Sequence, residues 1–269
     1  MHLSRIYAIF IRQWFLMKSN PSRLASIFMW TFLMILQWGL ISKYVGTFGG
    51  STFNYVTVTL GAIILWEFTN RLQIGVMLSF LEDIWSMNLI NFFASPLTIA
   101  EYVGGLVITS VVTGLAAFLV MVLFSGFGFG YNVFVIGLLL VPFMLILFVF
   151  GVAMGIFVAG IIFRLGPSAE WLGWPIPMIL SIFSGVFYPV ATMPSALQVI
   201  AHVLPTSYVF ESIRLLLATG SFSFQIGFNL IVGGLLALVY LAATYAFFVK
   251  IYRHNLRTGS IARFSAESV

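Results

Sequence analysis

Apolar residues run along this chain in long blocks, and the polar positions that interrupt them are concentrated in a few places. Residues 24–42 form a charge-free block between Arg23 and Lys43. A second block covers 55–74. Residues 102–163 hold no charged residue at all, enough for two spanning helices of roughly 20 residues each. Those two are 102–124 and 133–163, with the glycine-rich stretch Ser125–Asn132 as the turn between them. Two further blocks cover 171–187 and 226–248. The pattern therefore predicts six transmembrane helices over 24–42, 55–74, 102–124, 133–163, 171–187 and 226–248. Pro142 predicts a kink in the fourth, where neighbouring helices satisfy the freed carbonyl. Pro175 and Pro177 read either as hinges or as the start of the fifth.

The segments between these blocks have their own periodicity. Residues 1–23 are too polar to span. Leu3, Ile6, Tyr7, Phe10, Trp14 and Met17 recur at helical spacing, with Arg5, Arg12 and Lys18 elsewhere on the turn. That pattern predicts an amphipathic helix lying in the membrane interface. Pro21 ends it, and Ser22 is a candidate cap for the next helix. Residues 79–101 are the longest polar-spiced internal stretch. Within them Leu81, Ile84, Trp85, Asn88, Leu89 and Phe92 keep helical spacing, which predicts one short amphipathic helix over 81–92, turned by Ser95-Pro96. Residues 188–220 are moderately amphipathic, and 250–269 form a basic, polar tail. The fold class is all-α, and the chain reads as one polytopic domain over 1–269.

Composition excludes the soluble alternative. Hydrophobic residues make up 61% of the 269 positions, charged residues 7%, and mean hydropathy is +1.11. A soluble domain is about one quarter charged, and so few charges cannot build a water-facing surface. Of the 12 Lys and Arg residues, only Lys43 and Arg214 fall on the side opposite the termini in a six-span arrangement. The bias of bases places both termini in the cytoplasm. The basic tail reads as a topology signal and a headgroup contact. The first apolar block is too long for a signal-peptide core and lacks an A-x-A site, so no cleaved signal is expected. The net charge of +5 does not point to nucleic acid, because the bases cluster at the chain ends rather than beside aromatics.

Catalytic chemistry is hard to assemble from this chain. It has no cysteine, which removes thiolate metal sites, redox dithiols and disulfides. Lys18-Ser19 is preceded by Met17, so no phosphate-binding G-x-x-x-x-G-K-[ST] loop exists, and neither H-E-x-x-H nor G-x-S-x-G occurs. His2, His202 and His254 lie in separate segments. No cofactor or metal is expected in the chain. Two charges inside a predicted span stand out. Glu67 and Arg71 are four residues apart, with the acid first, the favourable order for an i,i+4 pair. An intramembrane charge is expensive and points to function; mutual neutralisation near the cytoplasmic end is the equal alternative. Gly151-x-x-x-Gly155 marks a close helix crossing.

Three segments carry a family resemblance. The first is the amphipathic helix before span one. The second is Asn91-Phe-Phe-Ala-Ser-Pro96-Leu-Thr followed by Glu101-Tyr-Val-Gly-Gly105. The third is Ser184-Gly-Val-Phe-Tyr-Pro-Val190, then Met193-Pro194, Leu204-Pro205-Thr206 and Glu211-Ser-Ile-Arg214. In order and spacing the chain resembles the permease subunit of type-2 ATP-binding-cassette exporters, the bacterial drug, lipid and polysaccharide export permeases. The resemblance implies a bacterial inner-membrane protein that pairs with a second permease chain, a homodimer by default. It implies two copies of a separate cytoplasmic ATPase, which hold the ATP and Mg. The helix near 81–92 would dock on that ATPase through Leu81, Glu82, Asp83, Ile84, Trp85, Asn88 and Leu89. The N-terminal helix, with Arg5, Arg12, Trp14 and Lys18, would meet lipid and form the second contact. Residues 188–214 would fold partly back into the membrane from outside. Glu67, Arg71, Phe183, Phe187 and Tyr188 are the candidates for the translocation path.

Other classes fit the residues less well. A membrane-embedded enzyme acting on lipid needs acids, histidines or cysteines clustered at one depth. A self-sufficient transporter or channel usually carries paired intramembrane charges or interrupted helices in both halves, and only Glu67 and Arg71 approach that. A scaffold without transport is disfavoured by the resemblance alone.

Overall fold

A computed structural model describes residues 2–48 and 55–259. Their regular structure is entirely helical. The α-helices are α1 (Leu3–Ser19), α2 (Pro21–Phe48), α3 (Tyr55–Trp85), α4 (Leu89–Ala94), α5 (Ile99–Phe129), α6 (Leu140–Leu165), α7 (Pro175–Phe183), α8 (Ser195–Val203), α9 (Pro205–Thr219) and α10 (Phe224–Thr258). Short 3-10 turns cover Val133–Leu139, Pro167–Gly173 and Val190–Thr192.

Four helical stretches among the described residues are long and apolar enough to cross a membrane: Phe28–Thr47, Ile99–Phe129, Val133–Leu165 and Phe224–Thr258. They contain the expected third, fourth and sixth spans and overlap the expected first, 24–42, from Phe28 onward. The expected second span lies within α3, which has 31 residues and a length of about 46 Å. Glu67, Asn70, Arg71 and Gln73 in its middle dilute its apolar character.

The expected fifth span, 171–187, is not one continuous helix. Pro167–Gly173 is a 3-10 turn, Pro175 occupies the first turn of α7, and Gly185 turns the chain at φ +68°. The nine residues of α7 reach about 14 Å, half of a bilayer core. The fourth span is interrupted at Gly137 (φ 66°, ψ −148°) rather than at Pro142. Pro142 lies in the first turn of α6, where its missing N–H has no helical partner to lose. The helix expected over 81–92 is also divided. Residues 81–85 complete α3, and α4 starts anew at Leu89. Pro21 does separate α1 from α2, as its first residue; Ser22 as a cap lies outside the described side chains. The tail expected over 250–269 stays helical to Thr258, and residues 260–269 lie outside the described part.

α3 is the axis of the packing. It lies against α5 on one side and α6 on another, and α6 packs in turn on α10. Small residues set these approaches. A Cβ on Gly151 would stand 2.7 Å from the Thr69 carbonyl oxygen. One on Gly155 would stand 2.7 Å from Val76 Cβ and 2.9 Å from the Gln73 carbonyl oxygen. The Gly151-x-x-x-Gly155 crossing is therefore made inside the chain, between α6 and α3. Gly75 meets Ser110 of α5 in the same way, where Ser110 Oγ donates to the Leu72 carbonyl at 2.6 Å. Without a hydrophobic drive between helices in lipid, such close packing and hydrogen bonding supply the association energy.

A Gly155→Ala substitution is expected to cost about 1–3 kcal/mol through overpacking against backbone atoms that cannot rotate away. Gly234→Ala on α10, where nothing lies within 4 Å, is expected to be neutral or to stabilise by helix propensity. Thermal melts of both variants in one detergent check the contrast.

Candidate functional site

The sequence directs attention to the end of α3, and the structure builds a polar knot there. α1 packs along α5, with Ile6, Ile9, Gln13 and Met17 forming its buried stripe. Gly105 gives α5 the room to admit Ile9, since a Cβ there would stand 2.6 Å from Ile9 Cβ. This seat brings Arg12 and Gln13 onto the last turns of α3. Arg12 pairs with Asp83, whose side chain has no exposed surface. Tyr102 of α5 donates its hydroxyl to Asp83 Oδ2 at 2.7 Å. Gln13 Nε2 donates to the Ser79 carbonyl at 3.1 Å and to Asp83 Oδ1 at 3.4 Å. Arg12 also reaches Ser86 Oγ at 3.2 Å and lies 4.8 Å over the Phe92 ring. One carboxylate thus joins three helices.

A second acid fixes the start of α1 to the start of α5. Glu101 forms a capping box with Thr98, both reciprocal hydrogen bonds being present. It also accepts from the His2 backbone N–H at 2.7 Å and pairs with Arg5 at 3.3 Å. Below both acids lies an aromatic cluster. Phe80 meets Tyr102, Phe163 and Phe248 edge-on, with centroids 6.4, 5.6 and 5.8 Å apart.

The exposed part of this end is a tight turn. Asn88 N–H donates to the Asp83 carbonyl and Met87 N–H to the Ile84 carbonyl, the bond pair of a Schellman stop. The left-handed position of that motif normally takes glycine. Here it holds Met87 at φ 53°, a strained choice. Trp85 (55%) and Met87 (46%) project outward beside exposed Ser86. Of the candidate docking residues, Trp85 is exposed, while Glu82 and Asn88 are partly buried. Leu81, Asp83, Ile84 and Leu89 face the chain's own interior. In α1, Trp14 and Lys18 are exposed, whereas Arg5 and Arg12 are partly buried and point into the two polar clusters.

The candidate path residues fall in two groups. Glu67 is buried, and the charge of Arg71 acts on it from one turn away. Arg71 Nη2 and Asn70 Oδ1 are buried without a hydrogen-bond partner among the described residues. By helical geometry Glu67 and Arg71 lie across α3 from Thr69 and Val76, which meet α6. The second group belongs to the segment after α7. Phe187 stacks on Trp38 of α2 at 4.8 Å, Phe183 packs on the cluster that includes Trp66 and Phe210, and Tyr188 donates to the Ile182 carbonyl at 2.8 Å. This segment is tied down on α9. Val190 N–H and Arg214 Nη1 both donate to Glu211 Oε1, at 2.8 and 3.0 Å. Arg214 Nη2 donates to the carbonyls of Gly185 and Val186. Ser184 and Thr206 hydroxyls meet at 2.7 Å.

This order of elements has a counterpart among known families. A family model described as ABC-2 type transporter matches residues 4–218. The chain belongs to the ABC-2 type transporter family. The match begins in α1 and ends in α9, so both the polar knot and the tie between Ser184–Val190 and α9 lie within it. A search among curated proteins gave no match. As an ABC-2 membrane component, the chain is a multi-pass transmembrane part of a transporter. Membership implies association with an ATP-binding-cassette ATPase.

Sequence reading gave Gln13 and Met87 no role, and it quoted Glu101, Tyr102 and the pair Glu211–Arg214 only as carriers of the resemblance. Thr98-x-x-Glu101 is a capping-box pattern and was open to detection. Nothing in the sequence signals that Gln13 and Tyr102 meet one acid, because they are separated by whole helices.

Asp83→Ala is expected to leave Arg12 and Gln13 without their shared acceptor and to loosen α1 from the ABC-2 fold. A loss of about 1–3 kcal/mol follows from the hydrogen bonds to charge. Hydrogen exchange over residues 3–19 is expected to rise, with much less change in α10.

Proposed function

We propose that this ABC-2 chain is the export permease of a bacterial inner-membrane ATP-binding-cassette system, acting as a homodimer with two copies of a separate cytoplasmic ATPase. Two spans complete its six: residues 55–74 within α3, and a short, broken fifth over 171–187. Both termini lie in the cytoplasm, as the distribution of Lys and Arg requires. The cargo is an amphipathic drug-like, lipid-linked or polysaccharide molecule that passes along the chain. No catalytic step is assigned to it; ATP and Mg belong to the partner.

The observation that carries this reading is the placement of the exposed Trp85–Met87 turn at the end of one uninterrupted helix that also holds Glu67 and Arg71. A long helix transmits displacement along its axis. The Arg12–Asp83–Tyr102 knot makes α1 and α5 move with the end of α3. ATP binding in the partner does work here by favouring one arrangement of this end over another. The coupling contact is made by Trp85, Met87 and the partly buried Glu82 and Asn88, with α1 as the second contact. On the outer side, the Ser184–Val190 segment held on α9 by Arg214 closes the exit.

Two experiments test this. Trp85→Ala with Met87→Ala removes exposed apolar surface and no internal contact of the knot. The variant is expected to assemble as a dimer and to lose ATP-driven transport by at least tenfold, measured in proteoliposomes with whichever ATPase co-purifies. Undiminished transport would sink the coupling assignment. For the path, Glu67→Gln is expected to change which substrates stimulate the partner's ATPase. A uniform effect across cationic, neutral and anionic substrates would assign Glu67 to structure.

A further inference from the structure

α10 ends in a basic face. Lys250, Arg253, His254 and Arg257 recur at i, i+3, i+4 and i+7, which places them on one side of the last two turns, and all four are exposed. Arg164, in the last turn of α6, stands across the groove. Two adjacent cavities open along this face. One, of ≈ 260 Å³, is lined by Arg164, Phe247, Lys250, Ile251 and His254. The other, of ≈ 500 Å³, is lined by Ala246, Val249, Lys250, Arg253, His254 and Arg257. Among the described residues, no acid lines either of them.

The contrast with the other arginines is sharp. Arg5, Arg12 and Arg214 each pair with an acid, Glu101, Asp83 and Glu211 respectively. Among the described residues, Lys250, Arg253 and Arg257 form no ion pair. Cations concentrated beside a cavity, with no acid among the described residues lining it, attract an anion. What lies one turn away identifies its kind. Phe247 packs against Gly160 of α6, its ring 3.0 Å from a Cβ built there, and lies 5.5 Å from Phe157. Further along α10, Leu235, Leu238 and Val239 are more than half exposed. The basic cup therefore continues into an apolar groove along a helix long and apolar enough to cross a membrane. A free phosphate would use only the cup, whereas a diacyl phospholipid uses both parts.

We propose that the α6–α10 groove is a binding site for an anionic phospholipid in the leaflet where α10 ends. Its phosphate sits among Lys250, Arg253 and Arg257, and its acyl chains run along Phe247 and Phe157. The site needs α10 to span the membrane; it does not depend on the ATPase contact.

The test is native mass spectrometry of the full chain in mild detergent, titrated with phosphatidylglycerol or with phosphatidylcholine. Saturable binding of phosphatidylglycerol is expected, with at least tenfold weaker phosphatidylcholine binding. Each base removed is expected to weaken anionic lipid about fivefold, so K250Q/R253Q together lose about 25-fold. Lys43→Gln at the far end of α2 changes nothing. R257Q alone is the milder variant, and melting without added lipid shows that each is folded. Equal binding of the two lipids would overturn the proposal. So would an equal loss in Lys43→Gln. Displacement of phosphatidylglycerol by an equal concentration of glycerol phosphate would make this a soluble-anion site. Lipid binding unchanged in K250Q/R253Q, with a co-purifying protein lost instead, would make it a protein contact.

Discussion

The Asp83 carboxylate is fully buried, and each side chain that neutralises or hydrogen-bonds it comes from another helix. Arg12 supplies the opposite charge from α1, Gln13 an amide from the same helix, and Tyr102 a hydroxyl from α5. A buried acid left alone costs several kcal/mol, so the arrangement is all or nothing. Withdrawing α1 strands the acid, and shifting α5 removes the hydroxyl. The knot therefore acts as a constraint on relative position more than as a source of net stability. α1 cannot slide independently of α3.

That constraint gives meaning to the strained turn next to it. Met87 occupies a left-handed position that glycine would fill more cheaply. The surrounding hydrogen bonds over-determine it: Asn88 and Met87 close the helix end on Asp83 and Ile84, while the Asp83 side chain is itself anchored. An apolar side chain is thus held outward on a rigid base. A glycine here would relax the backbone and present nothing. The segment after α7 uses the same device with different residues. There Arg214 gathers the carbonyls of Gly185 and Val186, and Glu211 takes the Val190 N–H. These groups lie in a non-helical stretch whose backbone has no ladder to satisfy it.

Much of the fold was legible because apolar blocks and turn residues are local signals. α2, α5, α6 and α10 all lie where the charge-free runs placed them. The failures are equally physical. The fifth block carries no charge, yet Pro175 and Gly185 limit its α-helix to nine residues. Periodicity joined 81–92 into one helix because it cannot see a one-residue left-handed stop at Met87. Burial of Asp83 was the least legible feature. An Asp in a polar stretch looks solvated from sequence, and only its meeting with Arg12, 71 residues earlier, makes burial tolerable. Trp85, which the sequence grouped at helical spacing with the buried Leu81, Ile84 and Leu89, is exposed.

The glycine pair in α6 narrows how a second chain can attach. In a bilayer, exposed leucine and phenylalanine do not drive association, since lipid tails are just as apolar. Close-packing small residues are the usual means, and Gly151 and Gly155 are already committed to α3 of the same chain. In the proposed homodimer, the partner chain therefore packs through other surfaces. The outward side of α2 is one such surface. It carries Met29, Trp30, Leu33, Leu40 and Tyr44 in exposed positions, while Trp38 stacks on Phe187 from the opposite face of the helix. Contact on that exposed face would stay clear of the Trp38–Phe187 stack, whereas contact at α10 would cover the basic groove. Of the two, only the α2 surface leaves that groove open to lipid.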